Sequence, residues 1–519
     1  MPPPDEVPMT IASTSKTQGT VPVLVGCGEI TERTRDPAQA QEPIALMTEA
    51  LRRAAHDASS THASALLAGI DSLDVVAEYS WPYRDACGLL SRRLEVSPVR
   101  CAYAEPGGDS PVRLLHEAAL RIARGECQIA AVVGAEANYS VAMATKAGVR
   151  LPWTPRDPDA RLLRGKDICH PLAVQHDMVQ PAHVYPLYEN AALAAWGQTP
   201  ADALRESSEL WSSFATVAAQ NPYAWLTRSY SAEEIATPTA ENRLIAWPYT
   251  KHMVANPLIN QGAAVLLMSL SRARAVGIDE DRLIYLWGGA RASETRDYLQ
   301  RDRYDRSIAQ ETVLARALEL AGGNVDRFGL VELYSCFPIV PKMARRTLGL
   351  PLAARLTATG GLSFFGAPLN NYMTHATAAL MRHLRDHRGE LALLYGQGEY
   401  VTKHHALVLG SRPQAESHLA QDYSVQTAVD RTRAKAPQLV VDYDGPASVE
   451  TFTIIYDRDG RPSFGTVIVR TPQQARSMAR VRADDAASLA SLSASSASPI
   501  GLTGRVERGA DSLLSWRVA

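Results

Sequence analysis

The sequence predicts an α/β protein built from a duplicated unit, with an insertion in its first half and a small β-rich domain at its end. Three observations carry this reading. Short apolar runs of strand length alternate with helical patterns of period 3.6. A similar order of strands and helices runs through 21–270 and again through 283–411, the mark of a repeated α/β unit. After residue 411 the composition turns polar and then alternates as strands do.

Residues 1–20 are rich in Pro, Ser and Thr and read as disordered. The run 21–27 ends in Gly26-Cys27-Gly28 and reads as a buried strand. Pro43 opens a helix, where its missing N–H costs little, with Ile44, Met47 and Leu51 on one face. Strands are expected at 73–77 and 129–133, with a helix over 110–123 between them that Gly125 ends. The region from about 140 to 250 breaks the rhythm. It mixes helical stretches, notably 204–219, with polar aromatic loops, and reads as an insertion covering one face of the sheet. A strand at 263–270 completes the first half. The second half repeats the alternation: a strand at 283–287, a helix at 308–321 stopped by Gly322-Gly323, and a strand at 328–333. Two helices come next, one after Pro338 and one over about 371–385, then strands at 391–395 and 406–409. Two strands, 449–456 and 465–469, flank a turn at Asp459-Gly460, and the Ala/Ser-rich stretch 485–498 is a flexible loop or weak helix. The expected division is therefore a disordered 1–20, an N-terminal half 21–270, a C-terminal half 271–411, a linker 412–440 and a β-rich domain 441–519.

With 519 residues, the chain has room for about three units at roughly 150 residues each. Its residues are 46% apolar and 21% charged, with a net charge of −2, so no overall field attracts nucleic acid or an anionic membrane. The six cysteines, Cys27, Cys87, Cys101, Cys127, Cys169 and Cys336, form no Cys-x-x-Cys pair, which argues against a zinc ribbon or redox motif. No signal peptide or membrane span is expected, the last four residues are not a peroxisomal signal, and a reducing, cytoplasmic setting fits best.

Several local phrases resemble the thiolase superfamily. Gly107-Gly108-Asp109-Ser110, then a helix, then a strand ending in Gly134-Ala135-Glu136, resembles the thiolase nucleophile loop, its helix and the strand ending in Gly-x-Glu. Residues 255–264 resemble the segment leading into the last strand of the first half. Gly360-Gly361 with Gly366-Ala367-Pro368 resembles the Gly-Gly…Gly-His-Pro element. Tyr334-Ser335-Cys336-Phe337 stands in place of the Asn-Glu-Ala-Phe or His-Asp-Cys-Phe element. Residues 333–338, 360–376 and 400–404 look like the thiolase-like proteins of type 1, relatives of the sterol carrier protein thiolases with an additional C-terminal domain. The resemblance implies a five-layered αβαβα thiolase fold, a CoA thioester as substrate or ligand with no tightly bound cofactor or metal, and a tail domain similar to a small oligonucleotide/oligosaccharide-binding barrel. Acidic residues among the tail's aromatics (Asp442, Asp444, Glu450 and Asp457) argue for packing or interaction rather than nucleic-acid binding. The state is monomer or homodimer.

A thiolase needs a thiolate nucleophile with a histidine to activate it, a second base, and donors for the oxyanion. Registered on Leu115-His116, the nucleophile position falls on Gly108. The Gly-His-Pro histidine becomes Ala367, the Asn or His of the third motif becomes Tyr334, and the second cysteine falls near Tyr395 or Gly396. All four usual side chains are lost.

The remaining candidates each have two readings. Cys336 is a displaced nucleophile or thioester contact, or a small buried residue after a strand. His375 is a general base, or a hydrogen-bonded support for its loop. Asn370 and Asn371 bind substrate or, the favoured reading, cap the helix. Asp109 and Ser110 line the pocket beside Gly108, or Ser110 caps its helix. Gly361, Gly366 and Gly398, like Gly360, let backbone approach a ligand or permit tight turns. Lys403-His404-His405 is structural rather than a metal or phosphate site, since strand neighbours face opposite ways. Taken together, the residues suggest an acyl-CoA-linked acyltransferase or lyase without ordinary thiolase turnover, with Tyr334 or Cys336 at the thioester. The alternatives are a non-catalytic acyl-CoA binder and a partner-binding scaffold.

Overall fold

The computed structural model describes residues 20–414, 419–509 and 513–519. The segment expected to be disordered lies, but for residue 20, outside these. The first half supplies strands β1 (Pro22–Thr31), β2 (Ser72–Val75), β3 (Arg100–Tyr103), β4 (Ile129–Ala137) and β7 (Asn260–Ser269); the second supplies β8 (Ile284–Ser293), β9 (Phe328–Leu333), β10 (Leu391–Gly398) and β11 (Lys403–Gly410). Between the β4 and β7 positions the insertion adds a small hairpin, β5 (Leu244–Ala246) and β6 (Tyr249–Thr250).

The duplication is visible in the strand order. The first half runs β3-β2-β4-β7-β1 and the second β9-β10-β11-β8. In each, the last strand in sequence lies antiparallel between the first strand and a parallel pair: β7 between β1 and β4, with β4 parallel to β2, and β11 between β8 and β10, with β10 parallel to β9. The halves meet where Val23 and Leu24 pair with Tyr285 and Ile284. Helices Ser110–Ala123 and Tyr372–Asp386 pack on each other and on strands of both halves, forming the middle layer. Helix Pro43–Ala58 covers the outside of β1, β4 and β7, and Ile308–Leu320 covers β8 and β11. This is the five-layered αβαβα arrangement. Coverage on both faces explains why β7 and β10 are buried along their whole length. Gly28 lets the outer helix lie directly on β1: a Cβ there would come within 2.1 Å of the Ala50 carbonyl oxygen.

At the C-terminal end, β12 (Gly445–Tyr456), β13 (Pro462–Arg470), β14 (Arg476–Arg482), β15 (Thr503–Arg508) and β16 (Leu514–Val518) close into a barrel in the order β12-β13-β14-β16-β15. Val449, Phe452, Ile454, Val467 and Trp516 fill it. The hairpin of the insertion joins this sheet at Ala246, opposite Ile455. The segment read as a linker contains a helix, Gln426–Thr432, and pairs through Ser424 with Arg291 and through Leu439 with Arg476. The Ala/Ser-rich stretch holds a short helix, Ala486–Leu492.

Two of the six cysteines pair, although the sequence showed no Cys-x-x-Cys motif. Cys27 and Cys127 are buried and Cys169 is half-buried, but Cys87 and Cys101 form a disulfide joining the helix Ala86–Leu94 to β3. Among the described residues no helix is long and apolar enough to cross a membrane.

Candidate active site

The turn before Ser110–Ala123 is pinned from outside. The Gly107 N–H donates to Asn370 Oδ1 at 2.9 Å, while Asn370 Nδ2 donates to the Ala77 carbonyl at 2.8 Å. Ser110 N–H closes the turn on Gly107 O at 3.0 Å, and its hydroxyl donates to Glu105 O at 2.9 Å. Asn370 and Ser110 are therefore spent on holding the loop, and neither side chain caps a helix. Asn371 donates to Gly134 O at 2.6 Å and accepts from the Thr374 hydroxyl at 2.7 Å, tying the second half to β4.

This turn borders a cavity of about 770 Å³. Gly108, Tyr334, Cys336, Asn370 and Ala367 line it together, and three of them, Gly108, Tyr334 and Ala367, are positions that the motifs had singled out as emptied or substituted. Tyr185, Phe337, Leu362 and Val254 make much of its apolar wall, and Arg164 and Lys166, both exposed, stand at its mouth. Of the other expected residues, His375, Asp109, Ser110, Asn371, Gly361, Gly366 and Gly398 do not line it.

Tyr334 comes directly after β9, its N–H bonded to Tyr395 O at 3.1 Å and its ring edge-on to Tyr372. A Cβ on Gly108 would meet the Tyr334 phenol oxygen and the Gln397 carbonyl oxygen at 2.4 Å each. The tyrosine thus occupies the space a nucleophile would need. Burial, with Cys336 and Asp109 nearby, holds its phenol well above the usual range, so it stays protonated. Among the described residues it has no hydrogen-bond acceptor. Cys336 Sγ lies 3.9 Å from Gln397 Oε1, and burial pushes its thiol up to about 12. Its thiol is the poor nucleophile of an apolar site. Tyr185 donates to Gln397 Oε1 at 3.1 Å and to Glu399 O, and stacks on Phe337 with ring centroids 4.5 Å apart.

The structure turns His375 away from this chemistry. It is fully buried, its Nδ1 2.7 Å from Glu29 Oε1 and its ring edge-on to Phe365. Burial raises the Glu29 carboxyl, but Arg382 and His375 together outweigh it and hold the group below its ordinary range. This trio joins Tyr372–Asp386 to β1. Asp109 lies under the turn, its carboxyl raised by burial against the pull of Lys403, Arg291 and Arg113. The glycines are demanded by packing: a Cβ at Gly361 would come within 2.5 Å of Phe214, at Gly366 within 2.6 Å of Gln261, and at Gly398 within 2.5 Å of Asp109. Lys403 pairs with Glu399 at 3.0 Å, His404 with Tyr395 at 2.7 Å and His405 with His116 at 3.0 Å, on alternate faces of β11.

Tyr185, Gln397, Arg164 and Lys166 escaped the sequence reading. The first and the last two lie in the insertion, which carries no family phrase. Gln397 sat in a stretch noted for its missing cysteine and for Gly398, and drew no reading of its own.

A duplicated α/β sheet whose turn before Ser110–Ala123 borders a cavity is the thiolase fold. Residues 424–510 match the family described as the thiolase-like protein type 1 additional C-terminal domain. A crystal structure of a monomeric SCP2-thiolase-like protein type 1 from Mycobacterium smegmatis matches with a TM-score of 0.81 and 29% identity, over 96% of this chain and 99% of that one. Together these make the chain similar to the thiolase-like proteins of type 1. The fold is shared more distantly with the Ltp2-ChsH2(DUF35) aldolase, at TM-score 0.57 and 17% identity over 76% of this chain and 98% of that one. It is also shared with human mitochondrial 3-ketoacyl-CoA thiolase in complex with CoA, at TM-score 0.53 and 14% identity over 76% and 99%. No curated protein matches the sequence significantly.

Proposed function

We propose that the protein binds a CoA thioester in the 770 Å³ cavity and acts on the acyl portion without forming an acyl-enzyme. The observation that carries this is the Tyr334 phenol standing at the mouth of position 108, in place of a thiolate. The apolar wall suits an acyl chain and pantetheine arm. Arg164 and Lys166 at the mouth suit the phosphates of CoA. A protonated phenol that lacks a protein acceptor is a donor for a thioester oxygen, where negative charge grows as the bond beside it is made or broken. The Gly108 N–H, also without an acceptor among the described residues, is a second donor in the same wall. The reaction class is a carbon–carbon bond reaction or acyl transfer of the superfamily's general kind, with proton transfer and charge stabilisation replacing covalent capture. A role in lipid metabolism and a monomeric state belong to the same proposal, whereas the Cys87–Cys101 disulfide does not fit the reducing, cytoplasmic setting expected from the sequence.

The test is turnover of β-hydroxyacyl-CoA and β-ketoacyl-CoA substrates, followed by product analysis, with the Tyr334→Phe variant in parallel. Product formed by the wild type and lost in the variant supports the reading. A second reading, binding without turnover, draws on the protonated Cys336 and the distance of His375 from the cavity. Tight acyl-CoA binding with every substrate left intact would favour it.

A further inference from the structure

The turn between β10 and β11 is strained where it borders the cavity. Glu399 and Val401 hold φ of 58° and 56°, values that are rare for non-glycine residues and most costly for a β-branched one. Residues held in this region persist only where their surroundings fix them. Here the fixing groups are buried. Tyr185 OH and Gln397 Nε2 donate to Glu399 O, the latter at 3.1 Å. Arg301 Nη1 donates to Val401 O at 2.7 Å and to Tyr400 O at 3.2 Å, and Tyr188 OH reaches Tyr400 O at 2.8 Å.

Arg301 is itself held by the C-terminal barrel. Arg476 of β14, fully buried, donates to the carbonyls of Leu299, at 2.8 Å, and of Arg301. Its guanidinium is oriented by Glu450 of β12, through a bond from Nε of 2.8 Å and a second from Nη2. The next two residues of β12 grip a second wall. The Thr451 hydroxyl donates to Leu187 O, and Phe452 O accepts from Asn190 Nδ2 at 2.8 Å. Leu187 and Asn190 belong to the helix Pro181–Ala195, which carries Tyr185. Three successive residues, 450–452, thus connect to both polar walls of the cavity.

We propose that the C-terminal barrel is an internal brace for the cavity, with Arg476 as the positioning residue for the 399–401 turn and Thr451 for the Tyr185 helix. The inference rests on reading the cavity as the CoA-thioester site. It gives the additional domain a role inside its own chain.

The experiment uses the full chain and the variants Arg476→Lys, Thr451→Val and, as a control on the exposed side of the barrel where Arg505 pairs with Asp444, Arg505→Gln. Hydrogen exchange is followed in 185–190, 398–402 and the central helices, and affinity for acetyl-CoA and octanoyl-CoA is measured by calorimetry. Arg476→Lys is expected to speed exchange of 398–402 by at least about tenfold, and Thr451→Val that of 185–190, with the central helices unchanged. Acyl-CoA dissociation constants rise by a similar factor, while Arg505→Gln behaves as wild type. Should Arg476→Lys loosen the central helices too, the nearly isosteric Thr451→Val decides. Wild-type exchange in both segments of the variants overturns the brace whatever the ligand does. If the wild type binds neither thioester but the exchange responds, the brace stands and the reading of the site falls.

Discussion

Tyr334 and Gly108 form a matched pair: the phenol oxygen of the first lies 2.4 Å from where a Cβ on the second would sit. The loss of the nucleophile is therefore built into the packing. Restoring a cysteine requires room that both Tyr334 and the Gln397 backbone now fill.

Gly108→Cys should not regain acyl transfer. The new side chain overpacks a buried turn, and a loss of roughly 1–3 kcal/mol in stability is expected. Thermal unfolding and intact mass after incubation with acetyl-CoA check this, with a lowered midpoint and no acetyl adduct as the expected pair of results.

Tyr334→Phe should separate stability from ligand recognition. The hydroxyl has no protein acceptor among the described residues, so folding changes by less than about 1 kcal/mol. Loss of one hydrogen bond to a thioester weakens binding about tenfold. Calorimetry beside chemical denaturation measures both; equal affinity in the two proteins would remove Tyr334 from the site.

Cys336 should be slow to alkylate. With its thiol pushed up to about 12 by burial, the thiolate is roughly 10⁻⁵ of the population at pH 7, far below that of a free cysteine. Iodoacetamide labelling of the native protein, mapped by mass spectrometry, is expected to leave Cys336 unmodified while Cys336→Ala keeps its acyl-CoA affinity. Rapid labelling there would revive it as a nucleophile.

The contribution of Glu78 and Glu136 to stability should fall as pH rises from about 5 to 8. Burial pushes the Glu78 carboxyl up to about 8, with Glu136 adding to the effect, and burial pushes Glu136 to about 7. Glu78 Oε2 has no partner among the described residues. A carboxyl raised on folding binds its proton more tightly in the native state. Its contribution is full below its ordinary value near 4.5 and is lost as pH climbs through the raised values. Glu78→Gln, which mimics the protonated acid, should gain on the wild type progressively over this window. A difference independent of pH would contradict the shift.

Much of the scaffold was legible because its signals are local. Helix 110–123 and strand 328–333 carry their own periodicity and breakers, and both match the structure. Strand β3, only four residues and half-exposed, gave no apolar run and went unread. The emptied positions Gly108 and Ala367 could be read because family phrases flank them. The fate of His375 could not, since its partner Glu29 lies 346 residues away in sequence. Tyr185 and the Arg476 brace also depend on long-range contacts for which the sequence has no short motif.

The most direct measurement is a calorimetric titration with CoA, acetyl-CoA and longer acyl-CoAs, with intact-mass analysis of the same samples. Saturable binding of thioester with the protein mass unchanged is the predicted result. A covalent acyl adduct, or no binding at millimolar ligand, would contradict the account.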